Sequence, residues 1–147
     1  MNILITGYKG FIGKNLINEL SINDNHNLLL IGNNKSKYNT RYKNKYVLNC
    51  DIDKINNIKK KIIDFKPDIV IHLAWKGIPV LNFQNSYDSL KFSIKFFELI
   101  FNFTNCKKVI VSGSCNEYSN NKGVCKEKDY SIPLTFFSWS KLSLYEY

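Results

Sequence analysis

A short apolar run that leads into a turn of regularly spaced glycines opens the sequence and constrains the fold more than any other feature. The run is Asn2–Thr6, and the turn that follows reads TGYKGFIG, with G-x-x-G-x-x-G spacing. Apolar residues then recur at a four-residue step, at Ile12, Leu16 and Leu20, which is typical of one face of a helix. The stretch therefore predicts a buried strand, a tight glycine turn and a helix in immediate succession.

In a strand–turn–helix unit, each glycine of this spacing has a physical role in binding a dinucleotide. Gly7 allows the tight turn out of the strand, Gly10 lets the backbone approach a pyrophosphate, and Gly13 lets the helix pack closely on the sheet. The start of the helix, at Phe11 and Ile12, offers N–H groups and a partial positive charge to the phosphates. Three glycines that serve only the turn are the alternative, but the strand–helix context favours a cofactor site.

Four further apolar runs predict four more strands, at Asn27–Gly32, Lys45–Cys50, Asp68–Ala74 and Lys107–Ser114. Helical spacing of apolar residues separates them, from Ile55 to Phe65 and from Phe92 to Phe103, and a last helix closes the chain after Pro133. Continuous apolar strands that alternate with helices indicate an α/β fold with helices on both faces of a parallel sheet. We expect a doubly wound sheet of about five strands in the order 3-2-1-4-5.

Composition narrows the classes of partner. The formal charge is +9, but asparagine, lysine and isoleucine are abundant throughout and no nucleic-acid motif stands out, so we expect no nucleic-acid partner. No run of about 18 apolar residues exists and the N-terminus does not resemble a signal peptide, so we expect no membrane partner and a cytoplasmic location. None of the four cysteines belongs to a CxxC pair, and we expect no metal site.

The end of the second strand leaves the identity of the cofactor open between NAD and NADP. Many NAD-binding proteins place an acidic residue there to hold the ribose hydroxyls, but here the residue is Asn33. Asn33 can bond a hydroxyl group without repelling a 2′-phosphate, and Lys35, Lys37 and Arg41 could attract one. These basic residues could equally be ordinary solvated lysines and arginines of a basic chain.

Five segments in this order resemble the extended short-chain dehydrogenase/reductase family, in particular its sugar-nucleotide epimerases and dehydratases. They are TGYKGFIG (Thr6–Gly13), CDID (Cys50–Asp53), DIVIHLAW (Asp68–Trp75), VIVSGSCNEY (Val109–Tyr118) and PLTFFSWSK (Pro133–Lys141). The resemblance implies a Rossmann-type fold over residues 1–147, hydride transfer between NAD(P) and a nucleotide-sugar, and a role in nucleotide-sugar metabolism. It covers the whole chain but only the first half of such an enzyme. We therefore expect an incomplete NAD(P)-binding domain without its C-terminal substrate domain.

The resemblance also implies roles for individual residues. Asp51 would bond the adenine amine and Ile52 would flank the adenine ring, while Leu73, Ala74 and Trp75 would pass along the cofactor. Ser114 would bond the reacting sugar oxygen, and Lys141 would hold the nicotinamide ribose and lower the pKa of a neighbouring tyrosine.

That tyrosine is absent, because the position four residues before Lys141 holds Phe137. A phenyl ring cannot accept or donate a proton, and general acid–base help is worth roughly 10²–10⁴-fold in rate. The literal Y-x-x-x-K formed by Tyr118 and Lys122 lies in a predicted loop and is a poor substitute. A non-catalytic dinucleotide-binding remnant or regulatory module is thus the alternative to an enzyme portion.

Three further expectations can be tested against the structure. His72 lies within a predicted strand and is interpreted as a hydrogen-bonded core histidine rather than a catalytic group. Glu117 is interpreted as a solvated side chain. The fifth strand would form an apolar sheet edge, which favours self-association or a partner that supplies the second half.

Overall fold

The computed structural model describes residues 1–22, 25–33, 44–50, 52–118 and 123–147. These residues form a five-stranded parallel sheet with the order β3-β2-β1-β4-β5. The strands are β1 Asn2–Thr6, β2 Asn27–Gly32, β3 Lys45–Asn49, β4 Ile69–His72 and β5 Lys108–Val111. The predicted α/β fold and its strand order are confirmed.

Four α-helices accompany the described strands: α1 Phe11–Leu20, α2 Lys59–Phe65, α3 Phe83–Phe103 and α4 Phe136–Glu146. Two 3₁₀ segments, Ile52–Ile58 and Cys115–Tyr118, complete the regular structure. No helix of this described part combines the length and the apolar character that crossing a membrane requires.

Helix α3 begins at Phe83, well before the apolar spacing that predicts it at Phe92. Asn82 caps it by accepting a hydrogen bond from the Asn85 N–H at 2.8 Å. The early turns mix polar and exposed side chains, so no apolar face marks them in the sequence.

Strands β4 and β5 end earlier than the apolar runs predict, at His72 and Val111. For β4 the reason is that the Ala74 N–H bonds the side chain of Thr6 instead of a neighbouring strand, at 3.2 Å. Residues 73–76 and 112–114 leave the sheet as loops at the carboxyl ends of the two strands. This is the edge where open α/β sheets bind their ligands.

The core lies on both faces of the sheet. Along β1, Ile3 and Ile5 pack toward α1 together with Ile17, whereas Leu4 belongs to a second cluster on the opposite face. That second cluster is rich in the phenylalanines of α3. Burial on both faces explains why the strands are continuous apolar runs rather than alternating ones.

Candidate cofactor and catalytic site

The glycine turn between β1 and α1 is so tightly packed that two of its positions exclude any side chain. Gly7 has a φ of +71°, and a Cβ atom there would lie 2.6 Å from the backbone nitrogen of Ala74. A Cβ atom at Gly13 would lie 2.6 Å from the Cα atom of Tyr8. Both glycines thus bring backbone close to backbone, as expected for a turn that seats a helix directly on the sheet.

Gly10 differs from the other two glycines because it is exposed to solvent and less crowded. It has extended backbone angles, φ −71° and ψ 173°, and the nearest atom to a Cβ placed there is the Gly7 carbonyl oxygen at 3.3 Å. Gly10 is the N-cap of α1, no side chain caps that helix end, and no acidic residue occupies the first turn. Phe11 is 86% exposed beside it. The positive end of α1 is therefore open to an anionic ligand.

Tyr8 and Lys9 join this turn to the end of β2. The ring of Tyr8 is fully buried, and a Cβ atom added to Gly32 would lie 2.7 Å from its Cε1 atom. The ammonium group of Lys9 donates a hydrogen bond to the carbonyl oxygen of Asn33, whose side chain is exposed. Asn33 is thereby placed at the carboxyl end of β2, where the sequence predicts contact with a ribose.

Several predicted cofactor contacts lie outside the described residues. They are Asp51 and the side chain of Ile52, together with the basic residues Lys35, Lys37 and Arg41 and the lysine of the Tyr118–Lys122 pair. Their roles stay predictions.

A chain of hydrogen bonds surrounds His72 at the end of β4. Its Nδ1 atom lies 2.7 Å from the Thr6 hydroxyl and its Nε2 atom lies 2.8 Å from the Ser93 hydroxyl. Thr6 in turn accepts the Ala74 N–H, and the Ser89 hydroxyl of α3 accepts the Lys76 N–H at 2.9 Å. The imidazole is 1% exposed, and burial, followed by the charge of Lys141, lowers its pKa to about 3. The interpretation of His72 as a hydrogen-bonded core residue is confirmed.

Trp75, Phe137 and Lys141 meet where the loop after β4 faces α4. The Lys141 ammonium lies 4.1 Å from the centroid of the Trp75 ring, and the Phe137 ring packs edge-on against the same indole at 5.6 Å. Phe137 is 6% exposed, so its ring fills space where a tyrosine would carry a hydroxyl group. The indole N–H of Trp75 is buried without a hydrogen-bond partner among the described residues.

Lys141 is 6% exposed and donates to neutral groups on the loop after β5. Its ammonium lies 3.0 Å from the Ser112 carbonyl oxygen and 3.4 Å from the Ser112 hydroxyl. Burial lowers the pKa of Lys141 to about 8, and the charge of Glu117 opposes that shift. Helix α4 presents this lysine because a capping box of Thr135 and Ser138 fixes where the helix starts.

Ser114 belongs to the same loop but is not in hydrogen-bond contact with Lys141. Its N–H donates to a Glu117 carboxylate oxygen at 2.7 Å, and its hydroxyl oxygen accepts the Asn116 N–H at 3.2 Å. The structure thus places the predicted serine and lysine at one end of the sheet, with Ser112 rather than Ser114 next to the ammonium.

The interpretation of Glu117 as a solvated side chain is wrong. Glu117 is 9% exposed, because its carboxylate turns back to cap the 3₁₀ segment through Ser114. The signal is present in the sequence as Ser-x-x-Glu, the spacing of a capping box. Glu117 and Lys141 also line a common cavity of about 440 Å³ beside β5.

Comparison with known proteins agrees with this geometry. A family model described as the NAD dependent epimerase/dehydratase family matches residues 3–147. The chain belongs to this family. The predicted resemblance to sugar-nucleotide epimerases and dehydratases is therefore confirmed at the level of the family.

Solved structures of several enzymes share the fold. The UDP-N-acetylglucosamine 4-epimerase of Methanobrevibacter ruminantium M1, solved with UDP-N-acetylmuramic acid, is 27% identical over 97% of this chain and 47% of its own, with a TM-score of 0.81. The enzyme WbmG of Bordetella bronchiseptica, solved with NAD, is 21% identical over 99% of this chain and 48% of its own, with a TM-score of 0.84. The UDP-glucose 4-epimerase of Thermotoga maritima, solved with UDP-glucose, is 23% identical over 100% of this chain and 50% of its own, with a TM-score of 0.81. The chain thus spans about half the length of the solved proteins it matches.

Proposed function

We propose that this chain is the NAD(P)-binding portion of a sugar-nucleotide epimerase or dehydratase. The observation that carries the proposal is the open helix N-terminus at Gly10, framed by Gly7 and Gly13, which admit no side chain. Family membership and the NAD found in similar solved structures support it. When bound, the nicotinamide would accept and return a hydride.

The described residues fit a dinucleotide laid across the carboxyl ends of β1 and β4. The pyrophosphate would lie over Gly10, Phe11 and Ile12, where N–H groups and the helix dipole favour negative charge. Leu73, Ala74 and Trp75 would line its path, and Lys141 would hold the nicotinamide ribose by donating hydrogen bonds. Asn33 would face the adenosine ribose, and Asp51 and Ile52 would contact the adenine.

Ser114 would orient the nucleotide-sugar. Because its hydroxyl oxygen already accepts the Asn116 N–H, its O–H hydrogen can donate to an oxygen of the sugar. The Glu117 carboxylate fixes the backbone of that loop through the Ser114 N–H, which holds the hydroxyl in place.

Phe137 supports a second candidate function, a non-catalytic dinucleotide-binding module. In the family resemblance a tyrosine at this position exchanges the proton, whereas here a buried phenyl ring packs on Trp75. The module would keep nucleotide affinity and lose most of the chemistry.

Calorimetric titration of the purified chain with NAD⁺ and NADP⁺ tests binding. Saturable binding of either nucleotide is expected, and folded protein that binds neither would exclude both candidate functions. Titration of the variants Lys35→Ala and Arg41→Ala then tests the choice of cofactor. If both variants keep the parent's preference, these basic residues do not recognise a 2′-phosphate.

A nucleotide-sugar as substrate and a partner or second copy at the sheet edge also belong to this proposal. Strand β5 pairs with β4 and ends the sheet, and Ile110 on it is 43% exposed. Such an edge favours association with another chain. Light scattering should show a mass above that of one chain, and Ile110→Lys should lower it; a monodisperse monomer at high concentration would contradict this.

A cytoplasmic location suits the free thiols of Cys106, Cys115 and Cys125.

A further inference from the structure

We infer that His72 is a positioning residue, which holds the loop of residues 73–76 in a shape that fits a dinucleotide. It does so as a neutral imidazole that joins Thr6, next to the glycine turn, to Ser93 on α3. The inference rests on the proposed function, because the loop it positions carries the predicted cofactor contacts Ala74 and Trp75.

The hydrogen bonds around His72 are compatible with one protonation state. The Ser93 hydroxyl donates to the Ser89 carbonyl oxygen at 2.8 Å, so toward His72 it can only accept. Nε2 must therefore carry the hydrogen, and Nδ1 must accept from the Thr6 hydroxyl. With its hydrogen given to His72, Thr6 Oγ1 offers its lone pairs to the Ala74 N–H. Each group then has the partner that its chemistry requires.

The surroundings keep this imidazole neutral. The rings of Phe92, Phe96 and Phe97 lie 5.9, 5.3 and 5.2 Å from it, centroid to centroid, and the ring is fully enclosed. A charged imidazolium would lose its hydration there, and it would also turn Nδ1 into a second donor facing the Thr6 hydroxyl.

The network holds the loop at two points, one on either side of Trp75. The Ala74 N–H is held by Thr6, and the Lys76 N–H is held by the hydroxyl of Ser89, one helical turn from Ser93. His72 connects the two anchors across the sheet–helix interface. Trp75 lies between them and presents its ring to the Lys141 ammonium. The indole ring that faces the proposed ribose-binding lysine thus belongs to a loop held by hydroxyl groups buried behind it.

Packing alone does not account for a histidine at this position. Another aromatic ring would fill the space among three phenylalanines without any buried polar atom. Here both ring nitrogens are bonded, and one of the bonds ends on the residue directly before Gly7. The polar atoms therefore have a role that the volume of the ring does not supply.

The test compares Thr6→Val, which removes the hydroxyl at nearly constant volume, with Thr6→Ser, which keeps it. His72→Phe keeps the ring and removes both nitrogens. Ser86→Ala is the matched control, since Ser86 is a buried serine of α3 whose hydroxyl has no partner among the described residues. The variants and the parent with which they are compared all carry Trp139→Phe, so that Trp75 is the one remaining tryptophan and its emission reports the loop directly.

We expect Thr6→Val and His72→Phe to weaken NAD⁺ binding by calorimetry by about tenfold and to shift the emission of Trp75, because the Ala74 N–H loses an ordered acceptor. Thr6→Ser and Ser86→Ala should keep affinity within about twofold and leave the emission unchanged. Thermal melting of each variant identifies any that does not fold.

The inference would be overturned if Thr6→Val had the same NAD⁺ affinity and the same Trp75 emission as the parent. It would also be overturned if Thr6→Ser and Thr6→Val lost equal amounts of affinity. If His72→Phe fails to fold, the Thr6 pair decides alone. If the parent itself binds no nucleotide, the proposed function fails separately. The emission of Trp75 still decides, because an unchanged emission in Thr6→Val would refute positioning of the loop.

Discussion

The β1–α1 turn and the β5–α4 end of the site lie at the same edge of the sheet, yet they meet their chemical requirements differently. The turn uses backbone: Gly7 and Gly13 leave no room for side chains, and Gly10 is exposed to solvent. The other end depends on single side-chain atoms, because in the proposed function Lys141 and Ser114 are present but Phe137 stands where the family resemblance implies a proton-exchanging tyrosine. The difference teaches that binding and chemistry are separable in the proposed function, because a missing oxygen atom at position 137 would end proton transfer and leave the proposed phosphate site intact.

The largest effect should come from restoring that oxygen atom. In a fusion of this chain with the second half of the Methanobrevibacter ruminantium epimerase, Phe137→Tyr should raise the rate of hydride transfer by roughly 10²–10⁴-fold. The reason is that Lys141 is already placed one helical turn away to lower the pKa of the phenol. Nicotinamide absorbance with a panel of UDP-, GDP-, CDP- and dTDP-sugars measures the rate.

The unfused chain is the control for this experiment. There Phe137→Tyr alone should restore no turnover, because a positioned substrate supplies much of the rate. Rapid turnover by the unmodified chain would show that another residue, Tyr118 first, acts as the base.

The second prediction tests the glycine turn between β1 and α1. Gly10→Val should weaken NAD⁺ binding by roughly 100-fold or more and Gly10→Ala by about tenfold, since a larger side chain fills more of the phosphate space. Gly10 has extended backbone angles that any residue adopts, and a Cβ atom there would lie 3.3 Å from the Gly7 carbonyl oxygen, which a small shift relieves, so the fold should survive. Circular dichroism checks the fold, and calorimetry measures the affinity. If Gly10→Val binds NAD⁺ as tightly as the parent, the pyrophosphate does not lie over Gly10.

The third prediction concerns the stability of the fold at acidic pH and depends on His72 at the end of β4. Because the pKa of His72 is lowered to about 3, its imidazole stays neutral in the folded protein. In the unfolded chain the same imidazole takes up a proton near its ordinary pKa of 6.5. As pH falls from 6.5 toward 3, the free energy of unfolding should therefore fall by about 1.4 kcal/mol per pH unit from this residue. Urea unfolding at several pH values measures the slope. His72→Phe should have a shallower slope than the parent, and equal slopes would show that His72 is protonated in the folded state.

The fourth and smallest effect concerns the stability of the fold at alkaline pH and depends on Lys141 on α4. The pKa of Lys141 is lowered to about 8, so between pH 8 and 10.5 the folded state is neutral at this residue while the unfolded chain is still charged. The free energy of unfolding should rise with pH across this window by up to about 1.4 kcal/mol per unit. Lys141→Met should lose this rise, whereas Lys107→Met, at the opposite end of β5, should keep it. A parent whose stability does not rise between pH 8 and 10.5 would show that the ammonium is hydrated.

The strand order and the glycine turn could be predicted from the sequence because both follow from local patterns, apolar runs and residues without side chains. The end of β4 could not, because the bond from Ala74 to Thr6 joins residues far apart in the chain. The burial of Glu117 could have been predicted from its capping-box spacing with Ser114. The contact of Trp75 with Phe137 and Lys141 depends on how α4 packs against the loop after β4, which no local pattern encodes.

Tyr8 and Gly32 imply a dependence between distant positions in related sequences. The Tyr8 ring occupies the volume that a side chain at position 32 would need, so the two residues divide a fixed space between the phosphate turn and the ribose end of β2. Related chains with an aromatic residue at position 8 should keep glycine at 32, and those with a small residue at 8 should be able to carry a larger one at 32. Changes at the two positions should therefore be correlated across the family, which an alignment of its members would show as covariation.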